Sequence, residues 1–428
     1  MSESERPSAR ALLRRTLALE RDVLVLSAAM FAFSLGFQAT GRYMPRYLSI
    51  LGASGLAVGL YGSLGNLLGA VYPYPGGALS DRIGSRRALT LFGLASTLGF
   101  LVWLAAPAFG TVSLPLAGTV PIGIFLGLLL VQSWKSLGLG ATFAVVKQAV
   151  PPERLAAGFA ATETVRRLAF LLGPLFAAAA IGAFVFETGF RLVLAGAAVA
   201  ALVGTVAQHV LYTPSDRLGK SFAGVASVVE DLRSLPEELP PLLAGDTLVR
   251  FGNGMVHVFV VLVVTEAKPV SATLPVVGTL SPDAFFGVLL AVEMAVALVS
   301  MVPVARLADA WGQKPVVALG FLVYATFPAL LVLAPASAGV YLALFAFSGL
   351  RFAGLPAHKA LIVGPARANE GGRVTGSYYL ARNTIVIPSA ALGGVLYELS
   401  PTLAFSTATV VGLLGVVVFA VFGKRFET

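Results

Sequence analysis

Gly77-Ala78-Leu79-Ser80-Asp81-Arg82-Ile83-Gly84-Ser85-Arg86-Arg87 and Ala305-Arg306-Leu307-Ala308-Asp309-Ala310-Trp311-Gly312-Gln313-Lys314 are two copies of one short pattern: an aspartate, a glycine three residues on, then basic residues. Each aspartate closes a long apolar run, and 309 − 81 = 228 residues separate them. Recurrence at equivalent points of a 428-residue chain implies two halves built on one plan.

Composition identifies the solvent those halves face. The chain is 57% hydrophobic and 12% charged, about half the charged share of a soluble domain. Apolar runs of 18 residues or more recur, each long enough to cross a hydrocarbon core of about 30 Å as helix. They are continuous and rich in Leu, Ala, Val and Gly, which argues against the alternating segments of a membrane barrel. Forty-six glycines and 25 prolines suit polytopic helices. No cysteine is present, which excludes structural disulfides and thiolate metal sites.

The hydropathy pattern predicts twelve spans at 23–48, 54–79, 88–107, 117–147, 156–182, 190–212, 239–265, 282–306, 315–336, 339–363, 373–397 and 402–423. With both termini inside, the inner segments hold 18 Lys or Arg, while the outer loops hold only Lys268. The positive-inside rule therefore predicts cytoplasmic termini in a multi-pass cell-membrane protein, and it explains the net charge of +9 without nucleic acid. The first span, flanked by Glu20, Arg21 and Asp22 and lacking a clear cleavage site, is expected to be retained. The expected architecture is all-α: twelve transmembrane helices in two pseudo-symmetric six-helix bundles, 1–212 and 239–428. They are joined by a cytoplasmic linker, 213–238, with a short surface helix near Val228–Arg233. An arginine followed by glycine opens spans 5 (Arg154, Gly158) and 11 (Arg373, Gly376), which again suggests duplication.

A duplicated Asp-x-x-Gly-x-basic turn between membrane spans resembles the loop signature of the major facilitator superfamily of secondary transporters. The resemblance covers nearly the whole chain. It implies a monomeric carrier working by alternating access, with the solute bound between the halves near mid-membrane. In that family the loop locks the outward-facing state and releases it during transport. Gly77, Asp81, Arg82, Gly84, Arg86 and Arg87, with Asp309, Gly312 and Lys314, are thus the expected gating residues. Physically, Asp81 suits a helix N-terminus, Gly77 admits a close neighbour and Gly84 a tight turn. The second copy has Ala305 in place of Gly77 and no basic residue directly after Asp309, which implies a looser gate. Ala169-Phe170-Leu171-Leu172-Gly173-Pro174-Leu175-Phe176-Ala177-Ala178 resembles the Gly-Pro motif of the family's antiporters, with alanines at three glycine positions; ordinary small-residue packing is the competing reading. Lys135, three residues before Gly138, lies near where the family often has a proton-transferring arginine. Span 1 lacks the acidic residue common in the family's drug/proton antiporters; Gln38 and Arg42 are its polar residues.

Charge at membrane depth is costly and marks pathways or paired networks. Seven cations fall there (Arg42, Lys135, Arg166, Arg167, Arg250, Arg351 and Arg382) against three anions (Glu163, Asp246 and Glu293), so 7 − 3 = 4 cations lack a carboxylate. Helical spacing pairs Glu163 with Arg166 and Arg167, and Asp246 with Arg250. Adjacent Arg166 and Arg167 point about 100° apart, so at most one is expected to line a cavity. The remaining arginines either clamp an anionic substrate or bond backbone and helix ends. Candidate substrate contacts are Gln38, Arg42, Arg250, Asn253, Arg351, Tyr379, Arg382 and Asn383; Tyr43, Asn66, His257 and Tyr378 lie at similar depth. Glu293 has no charged neighbour at three or four positions and is expected to carry or gate a coupling proton; a salt bridge to Arg42 or Arg382 is the alternative. Glu163 and Lys135 complete the proton candidates. His209 and His358 are expected at helix ends.

Gly219-Lys220-Ser221 has Pro214 where a phosphate-binding loop needs glycine, and no hydrolase or metal motif appears. The chain reads as a non-enzymatic carrier without cofactor. It would move a small organic solute, coupled to protons, with export by antiport favoured over import; an organic-anion or phosphate-ester symporter is the alternative, and a non-transporting receptor or scaffold the remote one.

Overall fold

The computed structural model describes residues 21–115, 117–139, 141–142, 145–146, 155–212, 236–275, 278–365 and 371–423. The expected linker helix and Arg154, Arg217, Lys220, Arg233 and Arg367 lie outside the described residues, as do the side chains of Gly158 and Arg373.

Among the described residues, nine helices are each long and apolar enough to cross a bilayer. A tenth span is Gly55–Val71 with Pro73–Ile83, bent by 42°. The fourth, Ile122–Leu137, and the eleventh, Gly371–Val386 followed by Ser389–Leu399, complete the expected twelve. Spans 1 and 7 pack on 5, 6 and on 11, 12 respectively; span 3 lies on 6 as 9 lies on 12, and 2 touches 4 as 8 touches 10. Each contact in the first half has its counterpart six spans later, the two-bundle arrangement that the repeated motif implied. The halves meet where span 2 crosses 11 and span 5 crosses 8, two crossings exchanged by the same symmetry.

Small residues set how closely those crossings approach. A Cβ at Gly59 of span 2 would run into the Ala390 carbonyl of span 11, and one at Gly287 of span 8 would meet the Pro174 carbonyl of span 5. Gly173, one residue earlier, lies against Gln38 of span 1. The Gly-Pro pair is therefore wedged between spans 1 and 8.

The loop motif recurs in backbone as well as in sequence. Gly84 (φ 83°, ψ 148°) and Gly312 (φ 87°, ψ 161°) adopt the same left-handed conformation between successive spans, one that a side chain disfavours. The close approach assigned to Gly77 belongs to its neighbour. A Cβ at Gly76 would strike the Leu137 backbone of span 4, whereas Gly77 faces open space. One residue is 100° of helix rotation, enough to exchange the faces. Ala305 in the second copy fits that correction, being exposed where Gly77 is open.

Two antiparallel hairpins were not anticipated: β1 (Thr111–Leu114) with β2 (Gly118–Pro121), and β3 (Ala272–Leu274) with β4 (Gly278–Leu280). The first occupies the expected start of span 4 and bridges to Ala53. A signal was present, since Leu114-Pro115-x-x-Gly118-Thr119 and Leu274-Pro275-x-x-Gly278-Thr279 share turn residues and spacing.

Candidate functional site

Of the spans whose helix is interrupted along its length, four carry a basic side chain at the break. Span 1 is interrupted between Gly41 and Met44, at Arg42. Span 4 passes into a π turn at Ser133–Leu137, holding Lys135. Span 7 tightens to 3-10 at His257–Phe259, and span 10 at Leu350–Phe352, holding Arg351. The offsets 257 − 42 = 215 and 351 − 135 = 216 make these equivalent positions of the two halves. Irregular turns inside a membrane helix are tolerated where protein or a water-filled cavity satisfies the freed backbone groups, and they frequently mark functional positions.

Three carboxylates then gather six guanidiniums, two apiece. Asp246, fully buried, accepts from Arg250 Nε at 3.3 Å and Arg382 Nη1 at 3.0 Å, and from the Tyr378 hydroxyl at 3.2 Å. Glu293 accepts from Arg351 Nη2 at 2.6 Å and the Ser348 hydroxyl at 2.5 Å, with Arg42 Nη2 at 3.5 Å. Glu163 accepts from both Arg166 (2.8 Å) and Arg167 (3.3 Å). The expected local pairs are thus present, Arg166 and Arg167 both sharing Glu163. Arg167 also reaches Met301 Sδ of span 8 at 3.0 Å. Glu293, isolated along its own helix, is held from spans 1 and 10. Each cluster keeps one net positive charge, and Lys135 makes no ion pair among the described residues.

The arginines differ in freedom. Arg351 is enclosed by the rings of Tyr324, Phe327 and Phe352 at 4.7–5.6 Å, so cation–π contact replaces water around it. Arg250 donates to the Tyr324 hydroxyl at 2.8 Å, and Arg382 stacks on Tyr379 at 4.7 Å while donating to Asn383 Oδ1 at 2.9 Å. Arg42 crosses between halves, its Nη1 lying 2.7 Å from Nε2 and 2.8 Å from Nδ1 of His257.

A cavity of about 190 Å³ opens against this network, lined by Asn66 of span 2, Arg250, Asn253 and His257 of span 7, and Arg382 and Asn383 of span 11. Of the expected substrate contacts, Arg250, Asn253, Arg382 and Asn383 reach it directly. Arg42 reaches it through His257, and Tyr379 through Arg382. Arg351 lies behind Arg250 in a much smaller space, and Gln38 packs on Gly173 instead. His358, expected at a helix end, is buried with Nε2 3.4 Å from Asp246, within charge contact but outside hydrogen-bond geometry. His209 does sit at its helix end, exposed, 3.0 Å from the Thr90 hydroxyl.

On the face away from the start of span 1, a latch joins the halves that sequence reading passed over. Arg46 donates to Asp283 at 3.0 Å and to Glu266, whose carboxylate also takes the Ser49 hydroxyl at 2.7 Å. Tyr43 donates to the Asp283 carbonyl at 2.9 Å, and the Leu56 amide to Glu398 at 3.0 Å. These residues lie at span ends, where charge is unremarkable in a sequence. On the opposite face the loop motifs bridge nothing: among the described residues Asp81 and Asp309 form no ion pair or hydrogen bond. Lys314, assigned to gating by its motif, caps span 12 by donating to the Ala420 (2.9 Å) and Gly423 (2.5 Å) carbonyls.

Comparison with known proteins agrees with this architecture. The family model of the Major Facilitator Superfamily matches residues 2–174. No curated protein matches in sequence. Solved structures with the same fold include a POT family transporter in complex with 5-aminolevulinic acid (15% identity, 94% of this chain and 96% of that one, TM-score 0.73). The nucleoside transporter NupG is another (12%, 94% and 98%, 0.71), as is the peptide transporter POT in complex with sulfate (16%, 96% and 98%, 0.70). Repeated loop motif, paired six-helix bundles and the match over residues 2–174 agree with the architecture of secondary transporters. The chain has the fold of the major facilitator superfamily and matches that family's model over residues 2–174.

Proposed function

We propose that this transporter carries a small organic anion by alternating access, and that the cavity between spans 2, 7 and 11 is its binding site. The observation that carries the reading is the wall itself. Arg250 and Arg382 share one carboxylate, Asp246, so that cluster keeps a positive charge at membrane depth, beside three asparagines able to read hydroxyl or carbonyl groups. At about 30 Å³ per water, the volume suits a metabolite displacing about six waters. Transporters of this fold are known with 5-aminolevulinic acid and with sulfate bound, both bearing acid groups.

Residues 1–212 rock against 239–428, with 213–238 as linker. The positive-inside distribution supports cytoplasmic termini, and on that reading the Arg46 latch closes the outer face and the state is inward-facing. Glu293 is the coupling carboxyl, since it takes partners from both halves and spans the moving boundary. Lys135, without an ion pair among the described residues and close enough to Arg166 and His257 for their charges to interact, draws anions toward the cavity.

Thermal unfolding of the purified protein tests the reading, because a ligand that binds only the folded state raises the midpoint. Small organic anions are expected to stabilise the wild type but not Arg382→Gln, and to support counterflow in proteoliposomes. Stabilisation by lipophilic cations alone would overturn it, and binding without counterflow would indicate a receptor.

A further inference from the structure

Resting on that anion reading, we propose that Arg42 is a switch shared by the coupling proton and the substrate, so that anion and proton bind together and the protein is an anion–proton symporter. Glu293 is faced by Arg351 and Ser348 of span 10 and by Arg42 of span 1. Arg42 is faced in turn by His257 of span 7 and lies within electrostatic reach of Tyr324 of span 9 and Arg351; Lys135 of span 4 acts on His257. The two guanidiniums on Glu293 are unequal. Arg351 is 2.6 Å away, 4% exposed and walled by three rings, whereas Arg42 is 3.5 Å away and 16% exposed.

A proton arriving on Glu293 removes the charge that attracts both. The neutral acid keeps its short contacts to Ser348 and Arg351, because those groups have nowhere to go. Arg42 loses its weaker partner and remains beside His257, which lines the cavity. Three guanidiniums (Arg42, Arg250 and Arg382) then converge on the space where an anion sits. Conversely, an anion that draws Arg42 away leaves Glu293 with one counter-charge fewer, which favours its protonated form. The two events assist each other, as symport requires. Antiport, the direction the Gly-Pro motif suggested, requires them to compete. Because Arg42 belongs to the first half while Glu293 and His257 belong to the second, its change of partner also alters what joins the halves.

The test is the proton count on binding. Lactate, glycerate and gluconate, whose carboxyl groups stay ionised above pH 5.5, are added to the purified wild type in weakly buffered detergent solution with a pH indicator. Expected is proton uptake on binding, with affinity rising as pH falls by up to about tenfold per unit, the limit for one linked proton. Glu293→Gln is expected to bind with no uptake and little pH dependence. Arg42→Gln is expected to bind weakly at every pH, and His257→Gln to bind more weakly than wild type while still taking up protons at saturating anion. Proton release on binding, or undiminished uptake in Glu293→Gln, overturns the switch while leaving the anion site standing. Uptake lost in His257→Gln but kept in Glu293→Gln moves the proton elsewhere and overturns it equally. If none of the anions shifts the melting midpoint at any pH, the anion reading itself fails and the switch falls with it.

Discussion

Asp246 is the residue on which the second half's polar core converges. Its carboxylate is fully buried and answers Arg250, Arg382 and the Tyr378 hydroxyl at once, with His358 in charge contact. Removing one partner of a buried charge cluster is costly because the others are left uncompensated. Asp246→Asn is therefore expected to destabilise the protein by about 3–5 kcal/mol, read as a lowered midpoint in thermal unfolding. Adding Arg382→Gln removes one of the stranded cations, so the double variant is expected to be less destabilised than the sum of its singles, by about 0.5–3 kcal/mol. Strict additivity would mean that the two groups do not share a site. At the loop glycines the cost lies in the backbone. Ala at Gly84 or Gly312 must adopt a conformation that L side chains avoid, at about 1–3 kcal/mol each. The same substitution at Gly77, with open space around it and no positive φ, is expected to leave the melting midpoint unchanged.

Individual spans show how far the sequence could be read. Long apolar runs made all twelve visible, since crossing a bilayer needs little more than length and hydropathy. The breaks inside them were not visible: nothing in the order of apolar residues says that span 7 tightens at His257 or span 10 at Arg351, because those turns answer to neighbours far away in sequence. For the same reason Asp246 was matched with Arg250, four residues on, but not with Arg382, 136 away. Arg46, Asp283 and Glu266 went unnoticed because a charge at a span end is ordinary until a partner stands opposite. Packing faces were legible only to within one residue, which on a helix separates Gly76 from Gly77. The crossings of spans 2 with 11 and 5 with 8 yield the element-scale prediction. Gly59→Val places a branched side chain against the Ala390 carbonyl, which cannot yield. It is expected to separate spans 2 and 11, lowering the melting midpoint and slowing transport more than Gly69→Val, where the surroundings are open.

Across the whole molecule, the distribution of contacts fits the inward-facing state proposed above. The latch, on the proposed outer face, uses one guanidinium for two carboxylates, Asp283 and Glu266, the inverse of the two-to-one ratio in the three inner clusters. Arg46 is therefore the group that neutralises that face, and without it two carboxylates from the same half confront span 1 with no counter-charge. The outer crossing then loses its strongest polar tie while the rest of the bundle is untouched, so the population shifts toward outward-open molecules by whatever the latch contributed. The chain has no native cysteine, so a single introduced thiol reports this shift without background. In Asn66→Cys, which places the thiol on the cavity wall, a membrane-impermeant maleimide applied from outside is expected to react slowly, because the closed face shields it. Combining Asn66→Cys with Arg46→Ala is expected to raise that rate several-fold. Adding Asp283→Asn and Glu266→Gln removes the stranded anions and is expected to bring the rate part of the way back. Equal labelling with and without Arg46 would show that glycine-mediated packing of spans 2 and 11, not the latch, holds the outer face shut.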